Sequence, residues 1–243
     1  MLVVAFDTET TGLIPKCSLT SETVDMFPHL LQLSAVKYLE EEEDKHTISC
    51  FNEMVCLEEI PQESINIHGI TVEMSQAKGK HIDYVLDAFF EFIGDPSEID
   101  YLVAHNSEFD KKVVMCEILR QRNRCFEEKD NARYKTRFFE KNINRKLANN
   151  VSYSTALSSV HIRCTMMMYQ YLPPSEKSVG GGGRWIKLVN LHKHCFGTVP
   201  NPEKMHDALN DTLVCIRCFY YMQKGVDLCD INAELRNYID ALL

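Results

Sequence analysis

No apolar run in the 243 residues approaches the ~20 needed to cross a bilayer as a helix, which excludes a helical membrane span. The opening MLVVAFDTET has neither a basic leader nor a small-residue cleavage site. An intracellular protein, cytoplasmic or nuclear, is therefore expected rather than a secreted one. The ten cysteines show no disulfide framework, and a chain of this length needs no staples, so a reducing compartment is expected. Cys215 and Cys218 form a lone CxxC with His192, His194 and Cys195 upstream. No second CxxC completes a zinc module and the flanking residues read as helix, so buried thiols are the expectation there. Positive charge is scarce as well: 26 Lys and Arg face 35 Asp and Glu, for a net charge of −9. Such a chain cannot draw nucleic acid through its overall field, so any phosphate binding must be local. An enzyme whose site is a cluster of carboxylates around cations remains compatible with that charge.

What is present fits one substantial α/β domain, with 45% hydrophobic and 25% charged residues and no internal repeat. Leu2–Phe6 reads as a buried strand, followed by strands at Leu31–Tyr38 and Thr47–Leu57 around the acidic run Glu40–Asp44, together an antiparallel meander. Val85, Leu86, Phe89, Phe90 and Ile93 recur at helical spacing within Tyr84–Ile93. Tyr101–Ala104 is a further strand, and Ser107-Glu108-Phe109-Asp110 has the form of a capping box opening a helix through Arg120.

Residues 120–146 then carry ten Lys/Arg against four acids, an excess of +6, with no clear period. They read either as a solvated surface insertion or as a phosphate-contacting arm. His161–Tyr171 enters the core as strand or helix, Pro173-Pro174 breaks it, and Gly180–Gly183 is a loop followed by Arg184-Trp185. Helices are expected at Leu188–Phe196, ended by Gly197, and at Asn210–Tyr221. The tail places Ile231, Leu235, Ile239 and Leu242 on one stripe, suited to packing on the domain or on a partner.

Three short segments carry chemistry. Asp7-Thr8-Glu9 follows the first strand, and residues two apart on a strand share a face. Paired carboxylates repel unless protonated or bridged, and their hard oxygens suit Mg²⁺ or Mn²⁺. Asp110 lies in the first turn of a helix, where the macrodipole alone favours an acid. His206 lies five residues before Asp211, with Asp207 a competing carboxylate. Residues five apart on a regular helix differ by roughly 140°, so both can aim at one point only if His206 lies outside the helix. Singly, each segment is more often a solvated loop acid, a helix-start acid or a surface histidine than a site residue.

Their order and flanks change that. Phe6-Asp7-Thr8-Glu9-Thr10-Thr11-Gly12-Leu13 resembles the first motif of the DEDDh, or DnaQ-like, 3′→5′ exonucleases. Ala104 through Asp110 is similar to the second motif, and His206 through Asp211 to the H-x₄-D third. Ile67-His68-Gly69-Ile70-Thr71 resembles a family segment beside the nucleotide, and Arg163-Cys164-Thr165-Met166 the strand after the second-motif helix. The likeness spans about residues 1–223, with a basic insertion at about 121–160, and leaves 224–243 as a helical tail.

This resemblance implies an RNase H-like α/β fold, a mixed five-stranded sheet flanked by helices. It implies that Asp7, Glu9 and Asp211 hold one of two divalent cations, Mg²⁺ or Mn²⁺. Asp7 and Asp110 would hold the other, with His206 as general base. It further implies that the Thr10 backbone meets the terminal 3′ hydroxyl and Leu13 wedges the terminal bases, with Ile67, His68, Ile70 and Asn106 near the nucleotide. Two cations ~3.5–4 Å apart stabilise both attacking and leaving oxygens, and an imidazole can accept a proton from the attacking water. Asp207 is expected to be a bystander. The implied substrate is a nucleic acid with a free 3′ end, single-stranded DNA before RNA, with no membrane and with a polymerase or other protein as a conceivable partner. All five catalytic positions are present, which argues against a non-catalytic binding module. Nothing resembles the dedicated clamp of a small-phosphoester hydrolase.

Overall fold

A computed structural model of the protein describes residues 1–41, 45–130, 137–159, 162–177 and 185–243. The end of the acidic run (42–44), parts of the basic insertion (131–136 and 160), residue 161 and residues 178–184 with the glycine loop lie outside the described residues. Five strands form one sheet: β1 Leu2–Thr10, β2 Leu30–Glu40, β3 His46–Met54, β4 Tyr101–Ala104 and β5 Ile162–Cys164. The spatial order is β3-β2-β1-β4-β5. β1, β2 and β3 are the expected antiparallel meander, whereas β4 runs parallel to β1, and β5 parallel to β4.

The helices are α1 Gln62–His68, α2 Val72–Lys78, α3 Ile82–Ile93, α4 Ser107–Asp130, α5 Arg137–Ser159, α6 Thr165–Gln170, α7 Leu188–Phe196, α8 Ala208–Lys224, α9 Leu228–Ile231 and α10 Ala233–Leu242. Among the described residues none is long and apolar enough to cross a membrane.

Alternation along β1 divides the core in two. Val3 and Ala5 pack with Leu213, Ile216 and Phe219 of α8 and with Leu235, Ile239 and Leu242 of α10. Val4 and Phe6 face the other way, onto Val85, Leu86 and Phe89 of α3 and Val113 and Val114 of α4. A strand buried on both faces is apolar throughout, which is why Leu2–Phe6 shows no polar alternation. Parallel pairing of β1 with β4 brings the C-terminal end of β1 next to the turn that opens α4. Ligands sit at such strand ends in α/β sheets.

Several expectations need correction. β1 runs on through Asp7 and Glu9 to Thr10, so the acids are in the strand rather than after it. The helix after β4 does not stop at Arg120 but continues to Asp130 and is followed by α5, which packs along it. Within the basic stretch, Arg120 is buried and donates to the carbonyls of Pro28, Val24 and Phe27 as well as to Glu117. Arg124 and Lys146 both bind Asp83 of α3. These three cations hold the fold together and are not spare charges for phosphate. The tail stripe is broken at Asn232, whose side chain caps α10, so Ile231 is left exposed while Leu228 is buried in its place. Cys215 and Cys218 are buried in α8. Buried His192 takes no part in a metal site: its Nδ1–H donates to the Thr198 carbonyl and its Nε2 accepts from Arg217.

Candidate active site

The four carboxylates reach one end of the sheet from both of its faces. Asp7 and Glu9 share the α8 face of β1, as their two-residue spacing dictates. The register between β1 and β2 shifts between Glu9, opposite Gln32, and Thr10, opposite Leu30; irregularities of this kind often re-aim side chains beside sites. Asp211 comes from the first turn of α8, on the same face. Asp110 comes from α4 on the opposite face, and its Oδ1 accepts from Thr8 N at 3.1 Å and Thr8 Oγ1 at 2.8 Å. The side chain between the two β1 acids therefore tethers the third.

α8 is aimed by its own N-cap. Asp207 Oδ1 accepts from Leu209 N and Asn210 N, both at 3.1 Å. Gln32, which pairs with Glu9 across β1 and β2, donates from Nε2 to Asp207 Oδ2 at 3.0 Å. Gln32 Oε1 also accepts from Ala208 N at 3.2 Å. Asp207 is thus occupied with capping, consistent with its expected bystander role. His206, immediately before the cap, has φ 61°, a left-handed backbone rare for a residue with a side chain. That conformation takes His206 off the helix axis. A ligand nitrogen of its ring and carboxylate oxygens of Glu9 and Asp211 all lie within 4.8 Å of one another. The separation of roughly 140° that a regular helix would impose does not apply. Among the described residues this is the one trio of His, Cys, Asp or Glu so arranged.

The electrostatics are those of a crowded anionic site. Burial, then the charges of Asp110, Asp211, Glu9 and Asp207, hold the Asp7 carboxyl well above its ordinary range. Burial, with Asp211, Asp110 and Asp207, pushes Glu9 up to about 9. Asp110 is raised to about 7 by burial against the pull of its two Thr8 hydrogen bonds. Asp211 is raised to about 7 by burial and by Asp207 and Asp110, while the His206 backbone N–H opposes the shift. Four acids that resist joint ionisation, with His206 alongside, are a candidate cation site. One further observation fits: Asp211 Oδ1 is buried and accepts from no donor in the protein, leaving its lone pairs for an ion.

The residues expected around the nucleotide divide. Leu13 is 85% exposed and Ile67 60% exposed, both large apolar side chains open to solvent. His68 ends α1, with Gly69 at φ 72° turning the chain behind it. Its Nδ1 accepts from Ile70 N at 3.0 Å, which leaves the ring proton on Nε2. The ring lies beside the Thr10 carbonyl and near His206, and burial lowers its pKa. Thr10 Oγ1 donates to the Gly12 carbonyl at 2.7 Å, closing the turn after β1. Ile70 differs: its side chain is buried in a small core cluster with Leu31 and Ile60. Asn106 is exposed at the mouth of α4, while its neighbour His105 is structural, bonded to Thr165 Oγ1 and the Ile186 carbonyl. Thr8 and Gln32 were not legible as site residues. Thr8 is masked by the acids on either side of it, and the only sequence signal of Gln32 is a polar residue between Leu31 and Leu33.

A family model described as RNase_T, exonuclease, matches residues 4–157. No curated protein matches the chain by sequence. Among solved structures, exonuclease I, described for how processivity is achieved, superposes with a TM-score of 0.60 at 16% identity over 98% of this chain. A moderately thermophilic exonuclease I from Methylocaldum szegediense gives a TM-score of 0.56 at 17% identity, covering 99% of this chain and 43% of its own. E. coli exonuclease I in complex with a dA16 oligonucleotide gives 0.58 at 14% identity over 98% of this chain and 42% of its own. The chain therefore spans somewhat under half the length of these structures, as it does for the first, of which it covers 43%. At these identities the likeness establishes the fold: a mixed five-stranded RNase H-like sheet flanked by helices.

Proposed function

The chain belongs to the RNase_T exonuclease family, of DEDDh type, and from that premise we propose that it hydrolyses nucleic acid from 3′ ends, releasing nucleoside monophosphates, with single-stranded DNA as the favoured substrate. The observation that carries this reading is the convergence of Asp7, Glu9, Asp110 and Asp211 at the end of β1 with His206 beside them. Support for single-stranded DNA comes from the similar E. coli exonuclease I, which is solved with a dA16 oligonucleotide.

Asp7, Glu9 and Asp211 would hold one divalent cation, and Asp7 with Asp110 a second, of which Mg²⁺ and Mn²⁺ best suit an all-oxygen set. Bound there, the pair would stabilise the charge that develops on the attacking and leaving oxygens of an in-line displacement. His206 takes the proton of the attacking water. Its exposed position and left-handed backbone turn the imidazole toward the Glu9 and Asp211 carboxylates from the solvent side. Thr8 keeps Asp110 aimed inward, and Gln32 with Asp207 keeps the start of α8, and so Asp211 and His206, in register with Glu9. The Thr10 backbone and the exposed Leu13 and Ile67 receive the terminal nucleotide, and His68 presents an N–H beside them.

The test is a cleavage ladder on 3′- and 5′-labelled single-stranded DNA, duplex DNA and RNA, with Mg²⁺, with Mn²⁺, with EDTA, and with the Asp7→Ala protein. Shortening of a 5′-labelled strand one nucleotide at a time, abolished by EDTA and by Asp7→Ala, is the expected result. Mononucleotides released from the 5′ end would overturn the polarity, and faster degradation of RNA would overturn the substrate.

A further inference from the structure

A cleft of about 740 Å³ opens beside the start of α4. Asn106, Ser107 and Glu108 line it together with Arg163, Tyr171 and Trp185. The volume lies within the ~300–1,000 Å³ usual for ligand sites, and the lining is mostly apolar. Two of the lining residues are large aromatics that reach solvent, Tyr171 79% exposed and Trp185 48% exposed. Arg163 brings a cation to this lining and Glu108 a carboxylate. The Arg163 guanidinium sits 5.7 Å from the Tyr101 ring centroid, which holds that cation at the surface. Asn106 and Asp110 are four residues apart, about 6 Å along the chain axis, so the cleft begins within a nucleotide's reach of the carboxylates.

We propose that this cleft holds the strand upstream of the cleaved nucleotide, its unpaired bases stacked on Tyr171 and Trp185 and a phosphate on Arg163. The inference rests on the reading of the carboxylate site as an exonuclease centre. It adds a second platform, and with it a reason for preferring single strands. Aromatic faces accept any base, but only one not already stacked inside a duplex. Arg163 offers a phosphate a point contact there, which the overall charge does not supply.

Trp185 is the only tryptophan of the chain, so its fluorescence reports on the cleft directly. The experiment titrates the full chain carrying Asp7→Asn with dT2, dT8 and a blunt duplex. Expected results are quenching that saturates with dT8, little change with dT2 or duplex, and affinity for dT8 roughly tenfold or more above that for dT2, since each stacked base is worth about that much. In the chain with Asp7 intact, Tyr171→Ala and Trp185→Ala should each lower the ratio of kcat/KM for dT8 over dT2 several-fold, and Trp185→Phe should retain it. Unchanged Trp185 fluorescence with bound dT8, equal quenching by duplex, or an unchanged dT8/dT2 ratio in the double alanine variant would each overturn the proposal. Absence of cleavage by the parent chain would sink the exonuclease reading instead, because quenching in the Asp7→Asn chain is measured without turnover.

Discussion

Asp207 and Asp211 lie one helical turn apart at the start of α8, yet the structure gives them opposite jobs, and replacing each should move stability and turnover in opposite directions. Asp207 caps the helix through two hydrogen bonds at 3.1 Å and takes a third from Gln32 at 3.0 Å. Loss of an N-cap costs about 0.5–2 kcal/mol. For a domain of this size each kcal/mol is worth roughly 2–4 °C in Tm, so Asp207→Ala should melt roughly 1–8 °C lower and keep most of its turnover, because Gln32 still holds the start of α8 through Ala208 N. Asp211 has an unpartnered buried oxygen and a carboxyl raised from 3.8 to about 7. Above pH 7 the ion-free fold must hold that charge against its neighbours. A shift of this size sets a ceiling of ~4 kcal/mol on the strain. Asp211→Asn keeps the acceptor for the His206 N–H and removes the charge. In EDTA at pH 8 it should therefore be more stable than the parent, by on the order of 1–3 kcal/mol, while turnover disappears. Thermal melts in EDTA paired with kcat/KM on single-stranded DNA in Mn²⁺ decide the matter. Equal losses of turnover in the two variants, or a lower EDTA melting point for Asp211→Asn, would refute the division of roles.

The same charges make stability depend on pH. Glu9, Asp110 and Asp211 have folded-state pKa values above their unfolded ones, at about 9, 7 and 7. Their contribution is therefore complete below about pH 4 and is lost as pH rises through 7 toward 9. From these groups, Tm in EDTA should fall between pH 5 and 9 and the increment from saturating Mn²⁺ should widen over the same range; an increment that is flat with pH would contradict the cation assignment. His206→Ala should lower kcat by about 10²–10⁴-fold, the usual worth of a general base. The Mn²⁺-induced rise in Tm should persist in that variant, and its loss would make His206 a cation ligand instead.

Local order was readable wherever it depends on neighbours along the chain. Helical spacing placed α3, Gly197 placed the end of α7, and apolar runs placed β1 and β4. The five candidate catalytic positions were legible because each sits in a contiguous motif whose flanks are as informative as the residue itself. Boundaries slipped where tertiary contacts extend an element: β1 runs past Phe6 to Thr10 because β2 pairs with it that far, and α4 runs past Arg120 because α5 packs along it.

What depended on the folded sheet was out of reach. That Thr8 tethers Asp110 across 102 residues follows from α4 and α8 lying on opposite faces of β1, and strand order is not written in periodicity. The same holds for Gln32 at the cap of α8, for Arg120 under the loop after β1, and for the meeting of Asn106 with Tyr171 and Trp185 around one cleft. Motif spacing along the chain nominates the candidate site residues, because such chemistry demands particular side chains close together. What aims them emerges from the folded sheet alone, because a tether is defined by distance in space and any polar side chain at the right register can supply it.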